Sequence, residues 1–411
     1  MQPLKTYPKQ RGRRLLRKLL LVLFGLLLGC FLCETGLRIL GISYPVFYTT
    51  DYYRGYALRP GFEGQFQQEG GSYVRINSDG LRDRERAKTK PAGAVRIAVL
   101  GDSFTEAMHV PLEQTFCYAL ERKLPECNAF AGKQVEVINF GVSGYGTALE
   151  LLTLRQKVWD YSPDVVLLVF TTYNDFYDNA RALGMNQDVP YFIYRNGELV
   201  YDASFRDTST YRQRDSGLYK FGRWWRDHLR IIQLIDYAYA VTRPLLTELR
   251  NQTRWRKPGD ASPFWLRKED YVEPQNENWR EAWRVTEGLI VQMRNEVSQK
   301  GAHLLVVTGS NPIQVYPNAA VRQSFLRHIG QDTLFYPNHR LRALAEREQI
   351  DFMDLAEPMQ IYADQNKVFL HSFGSDIGNG HWNAAGHRVV AELLAQRLCR
   401  EQPRSTGKQL P

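Results

Sequence analysis

Five short runs, at 95–100, 135–140, 164–170, 302–309 and 350–355, do most to limit what this chain can become. Most are apolar on successive residues rather than on alternate ones, and each ends in a polar or Gly-rich turn. Strands of this kind are covered on both faces, as in a parallel sheet. Helix-like stretches separate them, so the pattern predicts an α/β fold with a doubly wound, five-stranded parallel sheet. A final helix is expected from about 383 to 399, with Val389, Leu393, Leu394 and Leu398 near one face. At 44% hydrophobic and 24% charged residues, the composition excludes both a largely disordered chain and a multi-span membrane protein. The length of 411 residues leaves room for segments outside one core.

The formal charge of +9 invites a nucleic-acid reading until its distribution is examined. Lys5, Lys9, Arg11, Arg13, Arg14, Arg17 and Lys18 supply seven of those nine charges, and no acid stands among them. The rest of the chain is nearly balanced and has no basic stripe interleaved with stacking aromatics, so nucleic acid is not an expected partner. Directly after the cluster, 19–33 holds only Leu, Val, Phe, Gly and Cys. At 1.5 Å per residue this run covers roughly 22 Å, and Leu15, Leu16 and residues 35–42 extend it toward the roughly 30 Å hydrocarbon core. The favoured reading is an uncleaved transmembrane anchor. A cleaved signal peptide is the rival, but no A-x-A-like site follows the run, and Leu28 fits a lipoprotein box at 27–30 poorly. By the positive-inside rule the N-terminus is cytoplasmic and the remainder extracytoplasmic, which in a Gram-negative bacterium is the periplasm.

The chain therefore divides into a basic segment and anchor (1–42), an extended lead-in (43–94), a sheet domain (95–400) and a polar tail (401–411). The connection from about 180 to 300 is too long for a plain crossover and must hold structure of its own. Leu218, Phe221, Trp225, Leu229, Ile232 and Ile235 mark an amphipathic helix, read chiefly as core packing, with a lid or a membrane-resting face as the alternatives. A second helix begins near Asn278 and presents Trp279, Trp283, Leu289, Met293 and Val297 before stopping at Gly301.

Functional groups in open α/β sheets gather after the C-terminal ends of strands. Ser103 and Thr105 follow the first run, Gly141, Gly144 and Gly146 the second, and Asn174 the third, while His381 precedes the last helix. Singly, each has a structural explanation: a helix cap, a tight turn, an Asx-turn, a hydrogen-bonded imidazole. Together they are the set acyl transfer requires: a hydroxyl nucleophile, an imidazole to take its proton, and fixed donors for the oxyanion. His387 lies about 240° round a helix from His381, so the two are not placed to share a metal. Outside the apolar run there is no CxxC pair, and there is no HExxH, so no metal and no cofactor are expected.

GDSFTEA at 101–107, Gly144 in NFGVSGYG, Asn174 in TTYND and His381 in HWNAAGH resemble the four blocks of the SGNH (GDSL-type) hydrolase family. ETGLRILG and INSDGLRDRE are similar to a membrane-tethered branch of it. The resemblance implies a flavodoxin-like SGNH fold with a long helical insertion. Ser103 would be nucleophile and oxyanion donor, Gly144 and Asn174 further donors, and His381 general base and acid. It also implies a serine esterase or O-acyltransferase acting on small acyl groups, commonly acetyl, of envelope or secreted carbohydrate. In the insertion, Trp224, Trp225, Trp279 and Trp283 are read either as sugar-stacking surface or, equally well, as core packing. A lipase or thioesterase is a further alternative. One departure stands out: the family's Asp three residues before the histidine is Gly378 here, and the position two before is Asn379. Either Asp376 reaches in as the acid, or a carbonyl supports a Ser-His dyad, or the site is a weakened module that binds glycan or scaffolds an assembly. Cys117, Cys127 and Cys399 lie beyond the anchor; either Cys117 pairs with one of the other two, or all three are buried thiols.

Overall fold

The computed structural model describes residues 9–67, 69–172, 174–184, 186–251, 267–374 and 378–400. Helix α1 (Lys9–Ile39) is followed by two antiparallel hairpins, β1–β2 (Tyr48–Asp51, Gly55–Leu58) and β3–β4 (Glu63–Phe66, Ser72–Arg75). Then come β5 (Val95–Gly101), α2 (Ser103–Glu106), α3 (Phe116–Lys123), β6 (Val135–Asn139), α4 (Thr147–Gln156), β7 (Val165–Phe170) and α5 (Asp175–Asp178). The long connection holds a hairpin, β8–β9 (Tyr191–Arg195, Glu198–Asp202), and helices α6 (Ser209–Asp215), α7 (Gly217–His228), α8 (Arg230–Asn251) and α9 (Glu277–Gln299). Last are β10 (His303–Thr308), α10 (Ala319–Ile329), α11 (Tyr336–Glu348), β11 (Asp351–Asp354), α12 (Ala356–Asn366) and α13 (Ala384–Arg400).

Strands β5, β6, β7, β10 and β11 form one parallel sheet in the order β11-β10-β7-β5-β6, the flavodoxin-like arrangement. The alternation of side chains explains why these strands read as unbroken apolar runs. Ala98, Leu100, Val166, Leu168 and Val306 pack on one face against α4, α9 and α11, while Ile97, Val99, Leu167, Val169 and Val307 pack on the other against α3, α12 and α13. The chain leaves β5 toward β6 and leaves β7 toward β10, so the loops after these neighbours diverge and open a crevice at their carboxyl ends.

Two compact units are present: 47–216 with 256–411, which contains the sheet, and 1–46 with 217–255. In the second, α1 includes a 28-residue stretch, Gly12–Ile39, long and apolar enough to cross a membrane. Near its C-terminal end Arg38 donates to the His228 carbonyl, Ile231 N–H donates to Glu34, and Arg230 donates to the Ile42 carbonyl. These bonds tie the joint between α7 and α8 to α1.

Three sequence expectations change here. The apolar stripe from Leu218 to Ile235 is broken at Leu229 into two helices, and no residue of α7 is buried. Trp279 and Trp283 are buried against Phe176, so neither is a sugar-stacking surface. Cys127 pairs with Cys399 and Cys117 is the buried free thiol: α3 turns Cys117 into the core it shares with α13, whereas Cys127 follows that helix and meets the end of α13.

Candidate active site

Asp102 is the N-cap of α2: its Oδ1 accepts the Phe104 N–H at 2.9 Å, which sets the sharp turn that carries Ser103 out of β5. Asn139 fixes the neighbouring loop by donating to the Thr105 carbonyl and accepting from Gly141 N–H. Gly144 and Asn174 follow β6 and β7, so three of the sequence candidates stand at the carboxyl ends of adjacent strands. Among the described residues, neither Ser103 N–H nor Gly144 N–H donates to a protein acceptor. Asn174 Nδ2 lies 3.5 Å from Asp178 Oδ2, whose carboxyl burial pushes up to about 7 against that hydrogen bond.

His381 arrives from the opposite end of the domain, immediately before α13. Its Nε2 is 2.8 Å from Ser103 Oγ. Its Nδ1 is 2.6 Å from Glu69 Oε2, and its backbone N–H donates to Glu69 Oε1 at 2.8 Å. One carboxylate thus holds both the main chain and the ring of the histidine, which selects the Nδ1–H tautomer and leaves the Nε2 lone pair facing the serine. Burial acts to raise the Glu69 carboxyl, but the bonds and charge of His381 bring it below its ordinary value of 4.5.

Glu69 lies in the turn between β3 and β4, in the lead-in segment, and sequence reasoning did not single it out. Asp376, the acid anticipated there, lies outside the described residues; the Nδ1 position is held by Glu69. Gly378 cannot serve either, because its φ is +84° and a Cβ would press into the Tyr316 ring. Gly380 has φ +72°, and a Cβ there would fall on Glu69 Oε1. Gly380, directly before His381, is therefore the space that admits the Glu69 carboxylate from another part of the chain.

Further residues complete the surroundings. His109 stacks on His381 with ring centroids 3.9 Å apart and planes 17° from parallel, while Phe104 lies against His381 at 4.7 Å. Burial, and then the nearby His381, drive His109 down to about 2, so it is a neutral spacer. Glu69, His109 and His381 bring ligand atoms within 4.8 Å, but lone pairs of near-parallel stacked rings run side by side and do not converge on one ion. His371 donates from Nδ1 to the Gly380 carbonyl at 2.7 Å; its Nε2 pairs with Ser310 Oγ, which accepts from Trp382 Nε1. Burial lowers His371 to about 4, so this relay is neutral and fixes the loop. Tyr56 donates to the Ser143 carbonyl at 2.7 Å, which pins the peptide unit that leads into Gly144.

A serine hydroxyl, an imidazole within hydrogen-bond reach and a carboxylate behind it are the parts of a nucleophilic acyl-transfer centre. The family model of GDSL-like lipases/acylhydrolases matches residues 99–389, more than half of the chain. The chain belongs to the GDSL-like lipase/acylhydrolase family. As such it is a hydrolase of ester bonds. Among solved structures this GDSL-like acylhydrolase is similar to the acetyl xylan esterase AlAXEase, at 14% identity over 74% of this chain and 100% of that one, with a TM-score of 0.36. It is similar to a catalytic mutant of Axe2, an acetylxylan esterase from Geobacillus stearothermophilus, at 12% identity over 78% and 98%, TM-score 0.35. A two-domain esterase active on acetylated mannans aligns at 15% identity over 77% of this chain and 54% of that chain, TM-score 0.36. No match is found among curated proteins. The match to the GDSL-like family begins at residue 99, so Tyr56 and Glu69 come from outside it.

Proposed function

We propose that this protein is a membrane-anchored serine esterase or O-acyltransferase that works through Ser103, His381 and Glu69 on small acyl esters, O-acetyl first among them, of envelope or secreted carbohydrate. The observation that carries the reading is the continuous line from Ser103 Oγ to His381 Nε2 and from His381 Nδ1 to Glu69 Oε2, at 2.8 and 2.6 Å. Ser103 Oγ attacks the ester carbonyl as His381 Nε2 takes its proton. The negative charge on the carbonyl oxygen is met by Ser103 N–H, Gly144 N–H and the Asn174 amide. Glu69 stays ionised, holds the ring and stabilises the imidazolium, which then protonates the leaving alkoxide. Water, or an acceptor hydroxyl in the transfer reaction, resolves the acyl-enzyme with His381 as base.

The weakened-module reading rests on the missing acid at Gly378; the Glu69 carboxylate beside His381 Nδ1 supports the active reading instead. The carbohydrate and acetyl assignment rests on the resemblance of ETGLRILG and INSDGLRDRE to the membrane-tethered branch of the family. For localisation, α1 spans the membrane with the basic N-terminal cluster on the cytoplasmic side, and the Cys127–Cys399 pair fits an oxidising extracytoplasmic compartment. The test is a fluorophosphonate probe and p-nitrophenyl acetate applied to the full chain in detergent, beside Ser103→Ala. Labelling and turnover that vanish in Ser103→Ala support the mechanism, and their absence from the parent protein sinks it. A falling rate from acetyl to longer acyl chains separates the proposed esterase from a lipase.

A further inference from the structure

We propose that α7 is an in-plane membrane helix, seated at headgroup depth beside the end of α1 with Leu218, Phe221 and Trp225 facing the acyl chains. The inference rests on the reading of α1 as a membrane span. Leu218, Phe221 and Trp225 recur at i, i+3 and i+7, with Trp224 adjoining, and at about 100° per residue they share an arc of roughly 120°. Lys220, Arg223, Arg226 and Asp227 occupy the opposite arc. A stripe of this pattern normally covers a core, yet Leu218 is 83% exposed, Phe221 62%, Trp224 47% and Trp225 44%. Four large apolar side chains on one helix face need an occupant, and the fold specifies its depth.

The C-terminal end of α7 is fixed by Arg38 Nη2, which donates to the His228 carbonyl at 2.6 Å. Directly after it, Ile231 N–H meets Glu34 Oε2 at 3.1 Å, Gln233 Oε1 accepts from Ser43 and from Tyr44 N–H, and the Tyr44 and Tyr237 rings stack at 4.2 Å. All of these α1-side groups follow Cys33, where the apolar run stops. Counted from Leu15, the helix has covered about 28 Å by Cys33, close to the hydrocarbon thickness, and Arg38 lies five residues further, about 7.5 Å along the axis, within a headgroup layer of roughly 5–8 Å per leaflet. The last turn of α7 is thereby held at the interface of any bilayer that α1 crosses. Tryptophan is favoured at that depth, and three cations against one acid on the polar arc suit anionic headgroups. A second copy of the chain would cover the stripe with protein instead, but the join to α1 makes lipid the occupant that the stripe continues into.

The experiment uses the full chain in phosphatidylcholine/phosphatidylglycerol vesicles, with and without brominated acyl chains, comparing the parent protein with Trp224→Phe/Trp225→Phe. Flotation with the vesicles after alkaline wash reports α1, and Ser103-dependent ester turnover reports that each variant is folded. We expect both proteins to float and to turn over ester. Bromolipid should quench part of the parent's tryptophan emission, and the double variant should lose most of that effect. Protein that floats with equal quenching in both forms overturns the placement of α7 while leaving the anchor intact. Protein that fails to float overturns the anchor reading and this proposal with it.

Discussion

Tyr56 donates its phenolic hydrogen to the Ser143 carbonyl, and the other end of that peptide unit is the Gly144 N–H. A trans peptide is planar, so holding the carbonyl also fixes the direction of the N–H. The β1–β2 hairpin thereby orients one proposed oxyanion donor from outside the family match. Replacing Tyr56 by Phe keeps the ring and removes the bond. We expect kcat on a p-nitrophenyl ester to fall roughly tenfold, less than the 10²–10³ typical of losing a donor outright, with KM nearly unchanged. Affinity for a boronic acid, which forms a tetrahedral adduct on Ser103, should fall in step. An unchanged kcat would show that the loop keeps its shape without the phenol.

Gly380→Ala tests whether the loop before His381 is shaped around Glu69. The new Cβ would occupy the place of Glu69 Oε1, on a backbone with φ +72°. We expect kcat to drop about 10²-fold or more, approaching the loss caused by Glu69→Gln, and the two substitutions combined to cost little more than either alone. Fully additive losses would mean that Gly380 acts on something other than Glu69.

The Glu69 carboxyl also makes a prediction about pH. It is lowered on folding, so the stability it contributes is fully present above its ordinary value of 4.5 and is lost as pH falls through the folded value. Denaturant melts of the parent and Glu69→Gln should show a stability difference that is constant from neutral pH to about pH 5 and closes below that. A difference that widened on acidification would contradict the pairing.

The Cys127–Cys399 bridge joins the turn after α3 to the end of α13 across 272 residues. Cys127→Ser is expected to cost roughly 2–5 kcal/mol of stability while leaving ester turnover intact at low temperature. Cys117, buried with its thiol pushed well up by desolvation, should resist alkylation until the protein unfolds. Rapid Cys117 modification in the native protein would contradict that placement.

What could be read before the structure follows from the range of the interactions involved. The five sheet strands were legible because burial on both faces leaves a local mark, the unbroken apolar run. Ser103, Gly144 and Asn174 stood out because the fold places such residues directly after those runs. Glu69 leaves no local mark: it is one acid in an irregular, Gly-rich hairpin, and its bond to His381 spans 312 residues. His109, two residues past the GDSFTEA block, was near enough to notice, but nothing in its neighbourhood distinguishes a stacking partner from any buried histidine. The stripe on α7 shows the opposite limit. Its period was plain at Leu218, Phe221 and Trp225, but the same period serves a protein core and a lipid surface alike.

The most direct test sets Glu69→Gln against Asp376→Asn, the two carboxylates that sequence and geometry offer to His381. Steady-state turnover of p-nitrophenyl acetate should fall about 10²–10⁴-fold in kcat for Glu69→Gln with KM within a few fold, and stay within roughly threefold of the parent for Asp376→Asn. The reverse pattern, with Glu69→Gln active and Asp376→Asn crippled, would contradict the Ser103–His381–Glu69 centre.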